Sequence, residues 1–108
     1  MAVLLFPSKT PADVITLSFP FAGQMNFGEA ALGMSVNVGV FSGTDPSPGS
    51  ILLGAPTFSP DNTKVLQQVQ LGVPGVIYSI IGAMNTDAGN VYTVTGRLAV
   101  VDSLEQFV

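Results

Sequence analysis

Residues 75–101 read GVIYSIIGAMNTDAGNVYTVTGRLAVV. On the first side Val76, Tyr78 and Ile80 alternate with Ile77, Ser79 and Ile81. On the second, Tyr92, Val94, Leu98 and Val100 alternate with Val91, Thr93, Thr95, Arg97 and Ala99. A period of two is the mark of a strand with one face buried, so the stretch predicts two paired strands. The connection, Asn85 to Asn90, suits a turn: its carboxylate and amides can bond nearby backbone groups, and Gly89 can take positive φ without a Cβ clash.

Working outward, the same alternation recurs. Ile15, Leu17 and Phe19 share a face against Val14, Thr16 and Ser18, and Pro20 supports an end there. Met34, Val36, Val38 and Val40 oppose Ser35, Asn37, Gly39 and Phe41, as in a half-buried antiparallel strand. Ile51–Leu53 and Ala55–Phe58 read as edge fragments interrupted by Gly54 and Pro56, and Thr63–Leu71 as an imperfect strand carrying three glutamines. Gly82 and Gly96 are candidate bulge or close-packing positions. Turn signals thus mark about seven short strands, near Asp13, Met34, Ile51, Thr57, Lys64, Val76 and Val91. One layer would leave an apolar face uncovered, so the pattern predicts an all-β sandwich of antiparallel strands.

The domain expectation is an extended N-terminal arm at 1–12, a sandwich at 13–103 and a C-terminal tail at 104–108. At 108 residues the chain has room for one core. Charged residues make up 9% against 47% hydrophobic, far below the roughly one-quarter charged content of ordinary domains. An assembly that hides surface between subunits accommodates that scarcity best. Three Lys and Arg against seven Asp and Glu give a net charge of −4, so nucleic acid is not an expected partner. The opening apolar run lacks a charged leader and stops at Pro7, and every longer run is interrupted well short of the ~20 residues that span a bilayer as a helix. Cytoplasmic synthesis without a membrane partner is the expectation.

Histidine and cysteine are both absent, which removes the imidazole base, the Cys–His dyad and thiolate metal sites. Asp45, Asp61 and Asp87 occupy turns, where a short carboxylate ordinarily bonds local backbone. The glycines lack the lysine of a phosphate loop. No enzyme activity, cofactor or metal is expected. The residues singled out are candidate contacts: Leu4, Leu5 and Phe6 in the arm; Phe21 and Phe27 in an apolar loop, where a core role competes with an interface role; Asp45 in the turn-rich 42–50 loop; Arg97 on the last strand; and Phe107 in the tail. Tyr78 and Tyr92, on neighbouring strands, are a candidate cross-strand pair.

Two segments, Gly72-Val73-Pro74-Gly75-Val76-Ile77-Tyr78-Ser79-Ile80 and Thr86-Asp87-Ala88-Gly89-Asn90-Val91-Tyr92, followed by Leu98-Ala99-Val100-Val101, resemble the C-terminal half of small immunoglobulin-like tailed-phage proteins of the fiber-to-tail adaptor family. Pro11-Ala12-Asp13-Val14-Ile15-Thr16-Leu17 resembles their first strand. The similar portions cover about half of the chain; a tryptophan near the first strand is missing. The resemblance implies an immunoglobulin-like β-sandwich and a non-enzymatic virion protein of a tailed bacteriophage, connecting tail or portal-proximal subunits to fibers. Its implied partners are other virion proteins (portal, tail, fiber or capsid subunits), in repeated copies or as a homo-oligomer. Capsid decoration is the structural alternative, and a host-surface carbohydrate-binding module the more remote one.

Overall fold

The hairpin of residues 75–101 forms the centre of the larger of two sheets. The computed structural model describes residues 3–26 and 28–102. Its strands are β1 (Leu4–Leu5), β2 (Ile15–Pro20), β3 (Ala31–Ser42), β4 (Leu52–Phe58), β5 (Lys64–Val69), β6 (Ile77–Thr86) and β7 (Val91–Ala99), with a 3-10 turn at Pro48–Ile51. β6 and β7 pair without a break from Ile77↔Ala99 to Asn85↔Val91. The turn closes through bonds from the Thr86 N–H to the Asn90 carbonyl (3.0 Å) and from the Gly89 N–H to the Thr86 carbonyl (3.1 Å). Gly89 has φ +82°, which its missing Cβ permits.

The four-stranded sheet runs β1-β7-β6-β3 and the three-stranded sheet β2-β5-β4. With β2, β5 and β4 on one layer and β3, β6 and β7 on the other, the order is that of an immunoglobulin-like sandwich. The even-numbered residues of β6 point inward, as the alternation requires: Tyr78, Ile80 and Met84 are buried with Leu98 of β7 against Leu17, Phe19, Val65 and Val69 of the other sheet.

Two glycines shape this core. A Cβ on Gly82 would lie 2.9 Å from the Phe19 ring, and one on Gly96 would lie 2.3 Å from the Phe6 ring. Each glycine is therefore a notch that seats an aromatic ring. The two rings meet edge to face with centroids 5.3 Å apart, an arrangement aromatic pairs favour.

Several expectations are corrected. β1 pairs parallel with β7 (Leu4↔Gly96, Leu5↔Arg97), so the strands are not all antiparallel. Residues 3–10 lie along the sandwich: Phe6 and Lys9 donate backbone N–H groups to Arg97 and Ala99, and Val101 donates back to Lys9. The two edge fragments are one strand, β4, whose pairing with β5 is irregular between Leu53 and Thr57, around Gly54 (φ +75°) and Pro56. β3 and β6, with 12 and 10 residues, are longer than the short strands expected. Tyr78 stands opposite Leu98 and Tyr92 opposite Met84, so the tyrosines share a face at opposite ends of the hairpin rather than pairing. The 104–108 tail lies outside the described residues.

Candidate contact surface

Alternation along β3, β6 and β7 sends their odd-numbered residues to the outer face of the four-stranded sheet. Register then sets neighbours. Leu5, Arg97, Ser79 and Gly39 form one row across four strands, and Ala99, Ile77 and Ser42 form the next. Ser, Thr and Asn cover much of this face, yet Leu5 is 80%, Phe41 53% and Ile81 40% exposed. Leu5, Phe6, Phe41, Ile77, Arg97 and Ala99 line an open groove of about 270 Å³.

Arg97 organises the groove. Its guanidinium carbon lies 3.7 Å from the centroid of the Phe41 ring, a cation–π contact worth ~0.5–1 kcal/mol at an exposed site. Its Nε is buried and has no hydrogen-bond partner among the described residues. The result is an apolar patch with a single fixed cation, ringed by small polar side chains. Such a surface favours shape-matched contact with another folded surface, where an aromatic–arginine pair is a common anchor.

The candidate residues separate by position. Leu5 and Arg97 meet on the groove, joined by Phe6, whose ring also reaches Gly96 and Phe19. Leu4 is half-buried and packs against the core. Phe21, a core or interface candidate in the sequence, is wholly buried in the core, so it is unavailable for contact. Phe27 and Phe107 lie outside the described residues. Asp45 is engaged within the chain: its Oδ2 accepts the Tyr78 hydroxyl at 2.6 Å and its Oδ1 accepts the Ser47 N–H at 2.8 Å.

The Tyr78 oxygen also accepts the Val73 N–H at 2.9 Å, which ties the turn before β6 to the 42–50 loop. This is a tyrosine-corner arrangement of the immunoglobulin-like fold. Burial, reinforced by the bond to Asp45, pushes the Tyr78 hydroxyl above its ordinary pKa. A second polar cluster pins the opposite end. The Glu29 carboxylate accepts bonds from Thr86 Oγ1, Asn90 Nδ2 (3.0 Å), Tyr92 Oη (2.8 Å) and the Asn26 N–H (2.8 Å). Those donors, Thr86 first, hold its pKa at about 2. Both clusters are saturated by internal partners and serve as clamps.

Sequence reasoning missed three features. Phe41, Ile77 and Ile81 belong to the exposed face, and the signal was a large aromatic at 41 on an otherwise polar strand face. Lys9 is buried, its Nζ donating to the carbonyls of Thr10 (2.7 Å) and Leu71, and burial lowers its pKa. Gln67 points into the sandwich and donates its amide to the carbonyls of Leu53 (3.4 Å), Gly54 (3.2 Å) and Gln68 (2.8 Å). Gly54 lies within the irregular part of β4, so the Gln67 amide reaches a carbonyl outside the regular ladder.

A wider groove of about 580 Å³, lined by Phe6, Pro7, Ile15 and Leu17 among others, runs beside β2. Among the described residues no group of three or more His, Cys, Asp or Glu is placed to hold a metal. No helix among them is long and apolar enough to cross a membrane. Comparison with protein-family models gives no match for this sequence. Comparison with curated proteins gives none either.

Proposed function

We propose that this protein is a non-enzymatic structural subunit that acts through surface contact. In that role it connects tail or portal-proximal subunits to fibers in a tailed-bacteriophage particle. The observation that carries the contact reading is the exposed groove of Leu5, Phe41, Ile77 and Arg97 on the outer sheet face. A chain with 9% charged residues has little else to keep such a face from association. The phage placement rests on the resemblance of residues 72–80 and 86–101, and the immunoglobulin-like sandwich is the fold that resemblance implies.

The test is protein composition and labelling of purified phage particles that encode this chain. The expected result is stoichiometric, repeated copies at the tail or its junction with the head, and loss of those copies when Leu5→Asp and Phe41→Ser are combined. Label distributed over the capsid shell would instead assign a decoration role. Absence from particles altogether would refute the proposal.

A further inference from the structure

We infer that the free edge of β3 pairs antiparallel with the same edge of a second copy of this chain. A two-fold axis at Asn37 would then join two four-stranded sheets into one of eight. This inference deepens the assembly reading above and rests on it for its biological setting, though its test needs only the purified chain.

A strand edge exposes unpaired N–H and C=O groups, and proteins ordinarily guard such edges with proline, charge, irregularity or a covering segment. Two of the other edges are guarded and the third is short. β4 carries the Gly54–Pro56 irregularity. β2 is only six residues long and ends in Pro20, and it shares an open groove with Phe6, Pro7 and Ser8. The β7 edge is covered by β1, by the backbone bonds of Phe6 and Lys9, and by the Gln24 side chain on the Thr93 carbonyl.

Between Gly33 and Val40, β3 lacks charge, proline and irregularity. Its sequence, Ala31 to Ser42, contains no charged residue and no proline. Its register with β6 is unbroken from Gly33 to Val40, the irregularities lying at the two ends. Among the described residues, no hydrogen bond from that run reaches any segment other than β6. The 3-10 turn and β4 pass near β3 without hydrogen bonding to it.

The occupant follows from β3 being the longest edge strand among the described residues. Head-to-tail pairing of copies needs two different free edges, whereas a two-fold contact uses the same edge twice and closes. The register about Asn37 is self-complementary. It sets Val36 against Val38 and Met34 against Val40 on the inner face, and Ser35 against Gly39 on the outer face. Exposed Phe41 then stands across from Gly33, and no like charges meet. A one-residue slip would set apolar inner positions against polar outer ones. The contact is small beside the ~1,600 Å² of a standard stable interface, so it is weak for free subunits and gains strength where copies are held close together.

The chain has no cysteine, which permits a clean test on the full-length protein. Asn37 is exposed, so Asn37→Cys leaves the core intact. Opposed residues of antiparallel strands lie about 4.5–5.5 Å apart at Cα, within disulfide reach. Oxidation of Asn37→Cys is expected to give a covalent dimer, while Ser35→Cys on the same face and Thr57→Cys on β4 stay monomeric. Asn37→Lys should shift dimerisation, followed by light scattering over a concentration series, to several-fold higher concentration. Equal cross-linking from Thr57→Cys, or a monomer throughout with no Asn37→Cys dimer, would overturn the β3 contact. Either result would leave particle incorporation through the Phe41 groove as a separate question.

Discussion

At the scale of single residues, the account turns on atoms that have no room or no alternative partner. Gly96→Ala places a methyl where the Phe6 ring lies, and overpacking of that kind costs about 1–3 kcal/mol. Chemical denaturation should show that loss, and Phe6→Leu in the same chain should recover part of it by vacating the notch. Tyr78→Phe leaves the Val73 N–H and Asp45 without their shared hydroxyl, for an expected loss of about 1–3 kcal/mol. Acid sensitivity follows from Glu29 and Asp61, both held at about 2 against ordinary values of 4.5 and 3.8. For Asp61 the leading cause is its bond from the Ser59 hydroxyl, followed by that from Thr63. A carboxyl depressed on folding contributes stability that is fully present above its unfolded pKa and is lost as pH falls through its folded one. Stability should therefore decline between about pH 4.5 and pH 2, and Glu29→Gln should flatten that decline in thermal melts recorded across the range. Gly82 and Gly96 were legible in the sequence as close-packing points. Their partners were not, since Phe19 and Phe6 are far away along the chain.

At the scale of elements, the β6–β7 hairpin was legible because strict alternation over both arms admits one inward face. β1 was not, because two residues carry no period; parallel pairing with β7 makes Leu4 and Leu5 a strand. β4 read as two fragments because Gly54 and Pro56 interrupt it. The chain bridges them with an irregularity, where Gln67 of β5 reaches the Gly54 carbonyl. The N-terminal segment is an integral edge rather than an appendage. Deleting residues 1–10 removes Phe6 from Phe19 and Lys9 from the Leu71 carbonyl. Phe6 is half-buried, so the loss of its ring falls below the ~3–5 kcal/mol of a fully buried large aromatic. The truncated chain should melt well below the full chain; equal melting temperatures would contradict this role for the segment.

At the scale of the whole molecule, an all-β sandwich was legible from strand number, turn spacing and the alternation of β2, β3, β6 and β7. The candidate contact face was not. Phe41 and Arg97 sit on strands separated by β6, and only the registers of β3 with β6 and of β6 with β7 bring them within 3.7 Å. Scarce charge signalled that some surface should be covered, and the geometry places exposed Leu5, Phe41 and Ile81 together on the outer face of the four-stranded sheet. The most direct measurement replaces Phe41 with a photo-cross-linking phenylalanine analogue in assembled particles and identifies what it captures. The account predicts covalent capture of a neighbouring particle protein from position 41 and none from position 57 on the other sheet. Capture from position 57 with none from 41 would contradict it.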